Sequence, residues 1–333
     1  MNRKSFKPAL AIVFGLIIVL NAFAQTTRTR PTASPDVSFL PASDGVVLID
    51  VHRLLSETLP RVFAADSAKL SQVNAEIDKF KTETGVDARA LTRVVVGTRY
   101  TYPSPNVTKL ESVAVAHGTF DPKAIATAGR AKAQGRYREE QYHGMTIMIF
   151  TINDPMRLLG LWNLKVSDLA VSAVDAKTLV IGSVTNVRAA IDAGRSGSPA
   201  NSDLLLLANR DPNAVIGFGA NVTRNLTANL NVGTDTIAAD INSIRQVYGS
   251  VGSTQTDVSL LLVARTDSPT SAKNLSDMAT GLKQLGAIFI VRMAEPRKAL
   301  ALAVLDNLKI TTRENELEIR TQFAAAALAS LMK

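Results

Sequence analysis

The stretch LAVSAVDAKTLVIGSVTNVRAAIDAG, residues 169–194, decides our prediction of the fold. Apolar side chains alternate through residues 169–174, and a period of two with β-branched residues predicts a β-strand. The short polar step at 175–177 predicts a hairpin turn, after which the apolar residues 178–182 predict a second strand. A helix is expected next, and Gly194 stands where a helix commonly ends. The stretch therefore predicts strand, turn, strand and helix, in that order.

A second stretch with the same order, LKITTRENELEIRTQFAAAALASLM, occupies residues 308–332. Two copies are fewer than a repeat array needs, so the pattern predicts a duplicated domain. We expect residues 45–194 to superpose on residues 214–332 with the same strand order and direction. A sheet with an apolar face needs a covering layer. The predicted class is therefore α+β, with two related halves, each a largely antiparallel sheet with helices packed on one face.

Shifts in composition divide the chain into segments. Residues 25–44 are rich in Pro, Thr and Ser, which predicts an extended linker. A run rich in Gly, Ser, Pro and Asn at residues 195–202 marks the boundary between the halves. The predicted segments are a signal peptide at 1–24, the linker at 25–44, the first α+β half at 45–197 and the second at 198–333.

Three long helices are predicted from apolar residues that recur at steps of three and four. The helices 66–84 and 235–248 should occupy equivalent places in the two halves, with Ile77 and Ile241 turned toward the sheets. A third helix should begin at Ser268-Pro269, because a serine before a proline is a common helix start. Its predicted inward-facing residues are Leu275, Met278, Leu282 and Leu285.

The amino terminus has the pattern of a secretory signal peptide. Three cations stand in the first seven residues, and an unbroken apolar run follows at residues 9–20. The run is shorter than the ~20 residues that a spanning helix needs, so we expect cleavage and export to the periplasm, the cell surface or the medium. The alternative is an uncleaved chain anchored by one N-terminal transmembrane helix, its only contact with a membrane. The residues around the predicted cleavage site are Ala22, Ala24 and Gln25.

Composition excludes several classes of function. The chain has 333 residues, of which 46% are hydrophobic and 20% charged, as is typical of a globular protein. Its formal net charge is +8, but basic and acidic residues are interspersed, so no nucleic-acid partner is predicted. Cysteine is absent, which excludes disulfides, thiolate metal sites, thiol nucleophiles and a cysteine-linked lipid anchor.

No local motif predicts a catalytic, cofactor-binding or metal site. Gly217-Phe-Gly219 resembles the opening of a dinucleotide-binding fingerprint, but the third glycine is replaced by Val222. Only His117 remains as a weak candidate for catalysis, and its place on a Val-rich strand indicates a structural histidine instead. The three histidines share no spacing typical of zinc ligands; they are His52, His117 and His143.

Three segments resemble uncharacterised exported bacterial proteins of the domain-of-unknown-function kind. They are the entry into a Val-rich strand at 41–51, the strand-to-helix step VAHGTFD at 115–121, and the step LVIGSV at 179–184. The resemblance implies a location in the cell envelope and supplies no catalytic residues.

We interpret the protein as a non-enzymatic exported cell-envelope protein that binds an apolar ligand or a protein partner. Catalytic motifs are absent, and aliphatic helix stripes over a sheet can enclose a groove. The alternative is a hydrolase with a site assembled from distant residues, including His117. A serine hydroxyl or a carboxylate close to His117 in an open pocket would favour the hydrolase, and apolar surroundings would oppose it.

Overall fold

The computed structural model describes residues 37–104, 107–133, 136–151, 156–158, 162–164, 168–196, 201–223, 226, 235–295 and 297–329. The predicted signal peptide, with Ala22, Ala24 and Gln25, lies outside the described residues. The described chain divides into two units. The N-terminal unit comprises residues 37–59 and 67–203, and the C-terminal unit comprises residues 60–66 and 204–329. Each unit combines an antiparallel sheet with helices, which confirms the α+β class.

The N-terminal unit contains a seven-stranded sheet with the strand order β1-β2-β3-β9-β8-β5-β4. All neighbouring strands in it are antiparallel. A separate hairpin pairs β6 with β7. The strands are β1 (Gly45–Asp50), β2 (Leu91–Ser104), β3 (Val107–Gly118), β4 (Tyr137–Tyr142), β5 (Met145–Thr151), β6 (Met156–Leu158), β7 (Trp162–Leu164), β8 (Asp168–Ala173) and β9 (Thr178–Gly182).

Two helices of this part of the chain begin at capping residues that the sequence supplies. The Asp50 carboxylate accepts a hydrogen bond from the backbone N–H of Arg53 at 2.9 Å, and Asp121 does the same for Lys123 at 2.9 Å. A π-helical turn, Leu54–Thr58, and a 3₁₀ turn, Ala88–Ala90, interrupt the helical segments. The helices are α1 (Val51–Arg53), α2 (Leu59–Val62), α3 (Ser67–Thr84), α4 (Pro122–Ala133) and α5 (Val184–Ser196).

Helices cover both faces of the N-terminal sheet, not the one face that we expected. Glu139 pairs with Arg130 of α4 at 2.8 Å, whereas the next residue, Glu140, accepts two hydrogen bonds from Arg188 of α5 at 2.9 and 2.7 Å. Adjacent residues of a strand point to opposite faces, so α4 and α5 lie on opposite sides. Leu179 and Val180 are consecutive residues of β9, so their side chains point to opposite faces, and both are fully buried. Both faces of the sheet are therefore covered at this strand.

The described end of the predicted linker, residues 37–44, packs onto the N-terminal unit. The Leu40 side chain is buried, and the Phe39 ring lies against Gly194 at the end of α5. Asn201 holds the segment from both sides: its amide nitrogen donates to the Pro41 carbonyl, and its Oδ1 accepts from the Ser43 N–H, each at 2.8 Å. The folded body therefore includes residues 37–44.

The C-terminal unit contains a five-stranded antiparallel sheet with the order β13-β14-β12-β11-β10. Its strands are β10 (Ala214–Asn221), β11 (Ile244–Ser253), β12 (Asp257–Thr266), β13 (Lys309–Arg313) and β14 (Glu316–Ala324). The remaining helices are α6 (Ser202–Ala208), α7 (Asp235–Asn242), α8 (Pro269–Ile290), α9 (Arg297–Asp306) and α10 (Ala325–Ala329).

The predicted helix 235–248 is wrong beyond residue 242. Helix α7 ends at Asn242, and Ile244 begins strand β11, which pairs with β10 on one side and β12 on the other. The apolar residues at 244 and 247 fit a helical period, but the hydrogen bonds offered by two neighbouring strands outweigh a local preference. Ile241 is half-buried and Ile77 is buried.

Five strands of the N-terminal sheet follow the same order as the five strands of the C-terminal sheet. In the N-terminal unit three strands follow one another, β1-β2-β3, and the hairpin β8/β9 then joins through its second strand. In the C-terminal unit the strands β10-β11-β12 are followed in the same way by the hairpin β13/β14. These hairpins are the two predicted strand–turn–strand stretches. The duplication itself stays a prediction, which a Cα superposition of the two units tests.

Helix α6 crosses strand β10 directly above the Gly217-Phe-Gly219 stretch. A Cβ atom at Gly217 would lie 1.8 Å from the Ala208 carbonyl oxygen, and one at Gly219 would lie 2.8 Å from that of Leu204. No side chain fits at these distances, so the glycines allow a helix to approach the strand backbone. This packing accounts for both glycines without a nucleotide.

Candidate functional site

Helix α8 is the element that carries the candidate site. The Ser268 hydroxyl caps its first turn by accepting a hydrogen bond from the Ser271 N–H at 3.1 Å, and Pro269 stands in that turn. Ala272 and Leu275 are buried, so the first half of the helix packs into the C-terminal unit. The start of α8 and the burial of Leu275 therefore agree with the prediction.

The second half of α8 exposes the same apolar stripe that the first half buries. Positions 275, 278, 282, 285 and 289 recur at steps of three and four and share one helical face. Leu275 is 2% exposed, whereas Leu282 and Leu285 are 59% and 52% exposed. The prediction that these two leucines face inward is wrong, because periodicity identifies a helical face but not where its cover ends.

The exposed stripe continues into the turn after α8, and together these residues form a surface that we name the apolar tip. Its residues lie between positions 282 and 293, and each is at least 40% exposed. Ile290 points away from it and is buried. Six of the ten large apolar side chains exposed in the described chain belong to the tip, so it is a patch and not scattered exposure. The residues are Leu282, Leu285, Ile288, Phe289, Val291 and Met293.

Several contacts hold the tip in place. The Lys283 ammonium donates to the Leu308 carbonyl at 2.7 Å, which ties α8 to the chain before β13. A Cβ at Gly286 would lie 3.6 Å from the Leu305 side chain, so α8 and α9 pack closely there. The Glu295 carboxylate accepts from the Ala299 N–H at 3.3 Å at the start of α9. The tip is thus the end of a helix–turn–helix with defined geometry.

Basic residues lie within the tip sequence and just after it. Between Asp277 and Asp306 the chain carries four basic residues and one acidic residue, Glu295. Arg292 and Arg297 are exposed, and neither forms an ion pair with any residue that the structure describes. The basic residues are Lys283, Arg292, Arg297 and Lys298. The surface is therefore both apolar and positively charged.

His117 lies within β3 and is 8% exposed. Its Nδ1 atom is 3.4 Å from the Thr178 hydroxyl, and the Thr92 hydroxyl donates to its backbone carbonyl at 3.1 Å. Its burial leaves a substrate little access to the ring, so this site does not favour the hydrolase. The other two histidines lie elsewhere: His52 is exposed on α1, and His143 has a φ of 51° in the β4–β5 turn.

A row of polar side chains crosses four strands of the C-terminal sheet. Gln246 donates to the Asn221 side chain at 3.0 Å and accepts from the Arg265 guanidinium, whose Nε lies 3.8 Å from the buried Glu316 carboxylate. Burial raises the pKa of Glu316 to about 7, while the charges of Arg210 and Arg265 oppose that rise. The sequence offered no signal for this row, because its members come from four separate strands.

Two further features of the structure have no assigned ligand. A recess of about 310 Å³ lies beside β14, and within its lining the Gln322 amide donates to the Asp257 carboxylate at 3.0 Å. Two of its polar groups thus bind each other, and we assign the recess no ligand. Among the described residues, no group of three or more acidic or histidine side chains could hold a metal ion.

Comparisons with known proteins identify no family for this chain. No protein-family model matches it, and no curated protein does. Structures titled crystal forms III and IV of TP0453 are similar at a TM-score of 0.46 and 11% identity, covering 90% of this chain and 98% and 97% of theirs. Crystal form I of TP0453 has a TM-score of 0.44 at 11% identity, covering 91% and 98%.

Within the part of the chain that the structure describes, no helix combines the length and the hydropathy that crossing a bilayer requires.

Proposed function

We propose that this protein is a non-enzymatic, exported cell-envelope protein that binds an apolar ligand or a protein partner through the apolar tip. The observation that supports the proposal is the exposure of six large apolar side chains in one surface. Monomeric proteins rarely leave such a patch uncovered, because covering apolar surface gains about 25 cal/mol per Å². A surface of this kind is typical of an interaction site.

The proposal of export rests on the amino-terminal residues. Their pattern of cations, an apolar run and small residues before Gln25 is typical of a secretory signal. An envelope location also gives an apolar surface a plausible partner, since membranes and membrane proteins are near.

Photocrosslinking in the native host tests the proposal. We would replace Phe289 by the photoreactive residue benzoylphenylalanine, with Leu110 replaced in the same way as the control. Leu110 is 57% exposed and lies on β3, outside the tip. We expect irradiation to join an envelope component to position 289 and none to position 110. No adduct at 289, or equal adducts at both positions, would refute binding through the tip.

A further inference from the structure

We infer that the apolar tip inserts into the surface of a bilayer that contains anionic phospholipid. This inference rests on the proposed function and names the class of partner. The tip would be a second membrane contact, in addition to the N-terminal helix that would anchor an uncleaved chain.

The apolar half of the argument is the geometry of α8. Leu282, Leu285 and Phe289 lie on one helical face, and Val291 extends the surface into the turn. A helix with an apolar face of Leu and Phe lies in the membrane interface, at a depth of roughly 5–10 Å. The exposed stretch is too short to span a bilayer, so it reaches the interface and no further.

The charged half of the argument is the excess of four cations over one carboxylate around the tip. Arg292 stands between Val291 and Met293, so insertion of these side chains brings its guanidinium to the level of the headgroups. Each Lys or Arg near an anionic surface strengthens binding by about 1 kcal/mol, which is about fivefold. Zwitterionic lipid lacks this attraction, and salt weakens it.

Charge also favours an anionic membrane over a second copy of the chain as the partner of the tip. Two tips in contact would bring two sets of four cations together while removing them from water. An anionic headgroup layer supplies the opposite charge, and its acyl chains cover the apolar side chains. A protein partner with an acidic rim is the remaining occupant and is an outcome of the test.

Vesicle co-sedimentation of the full chain tests the inference. We would compare phosphatidylcholine vesicles with vesicles that also hold about 30% phosphatidylglycerol, at about 0.1 M and 0.5 M salt. We expect binding to the anionic vesicles that falls with salt. L285S/F289S should lower the partition coefficient at least tenfold, and R292Q/R297Q about fivefold per cation. L110S, equally exposed outside the tip, should bind as the parent does.

A second measurement reports on the tip alone, because the apolar run at residues 9–20 can also bind lipid in an uncleaved chain. In F289W the new indole should be quenched by lipids brominated near the headgroup end of their acyl chains, while L110W should not. The parent contains one tryptophan, Trp162, whose signal is subtracted. Circular dichroism of each variant shows that it is folded.

The outcomes separate this inference from the proposed function. Loss of binding in L285S/F289S together with quenching of F289W supports tip insertion. No quenching of F289W, or equal binding to both vesicle types at both salt concentrations, overturns the anionic-lipid inference. If quenching fails while position 289 still crosslinks to an envelope protein, the proposed function stands and this inference fails. If neither signal is seen, both are wrong.

Discussion

The buried carboxyl group of Glu316 should make the stability of the protein fall as pH rises. Its pKa is about 7 in the folded protein, against 4.5 for an ordinary glutamate, because the group is buried. Between these two values the folded state holds a proton that the unfolded state has released. The contribution of Glu316 is therefore fully present below pH 4.5 and is lost as pH rises through about 7.

The size of the effect follows from the difference between the two pKa values. One unit corresponds to about 1.4 kcal/mol, so the full loss is about 3 kcal/mol, and most of it falls between pH 5 and pH 8. Glu316→Gln keeps the shape of the side chain and removes its titration. The unfolding free energy of the variant, relative to the parent, should thus rise by roughly 2–3 kcal/mol over that range.

Urea unfolding followed by circular dichroism at a series of pH values measures this difference. Taking the difference between variant and parent cancels the titration of every other group to first order. Glu318→Gln is the matched control, since that carboxylate lies on the same strand with a side chain 34% exposed. It measures how much of the slope the loss of any carboxylate on β14 produces. A difference for Glu316→Gln that is flat with pH, or that equals the control, would refute the reasoning.

Three further predictions concern packing and export. Gly217→Ala should lower the free energy of unfolding by roughly 3 kcal/mol or more, because its Cβ would stand 1.8 Å from a carbonyl oxygen of α6. Gly281→Ala, whose Cβ would have nothing within 4 Å, should raise the free energy of unfolding by about 1 kcal/mol. Thermal unfolding of both variants checks these two values. Ile77→Ala should cost about 2–5 kcal/mol in urea unfolding and half-buried Ile241→Ala less, and equal costs would contradict the observed burial. N-terminal sequencing of protein from its native host should begin at Gln25, whereas an intact amino terminus in the membrane fraction would show an anchor.

The regular elements could be predicted because their local patterns agree with their surroundings. Alternation over residues 169–174 and the short polar turn after it correspond to strands β8 and β9. The failure came at Ile244, where one set of apolar residues fits a helix and a strand equally well. Pairing with the neighbours β10 and β12 makes this segment a strand, and no short window of sequence contains both of these neighbours.

The candidate site was harder to predict for a related reason. The stripe that ends at Phe289 shows one uniform pattern, so the sequence could not tell its buried half from its exposed half. Exposure depends on where the packing beneath α8 ends, which is a property of the assembled unit. The cations within and just after residues 282–293 were the available signal, because a helix that is buried along its whole length rarely carries charged side chains.

The membership of residues 60–66 in the C-terminal unit has a consequence for how the chain is made. Val62 and Phe63 are buried side chains of that unit, yet they are synthesised long before its strands. A ribosome completes the N-terminal residues first, and domains generally fold as they emerge. This segment must therefore wait, unpacked, for the rest of its unit. A single cut at residue 203 would leave residues 204–329 without two of their core side chains. Truncation and domain exchange are thus constrained by a short segment that lies well upstream of the unit it completes.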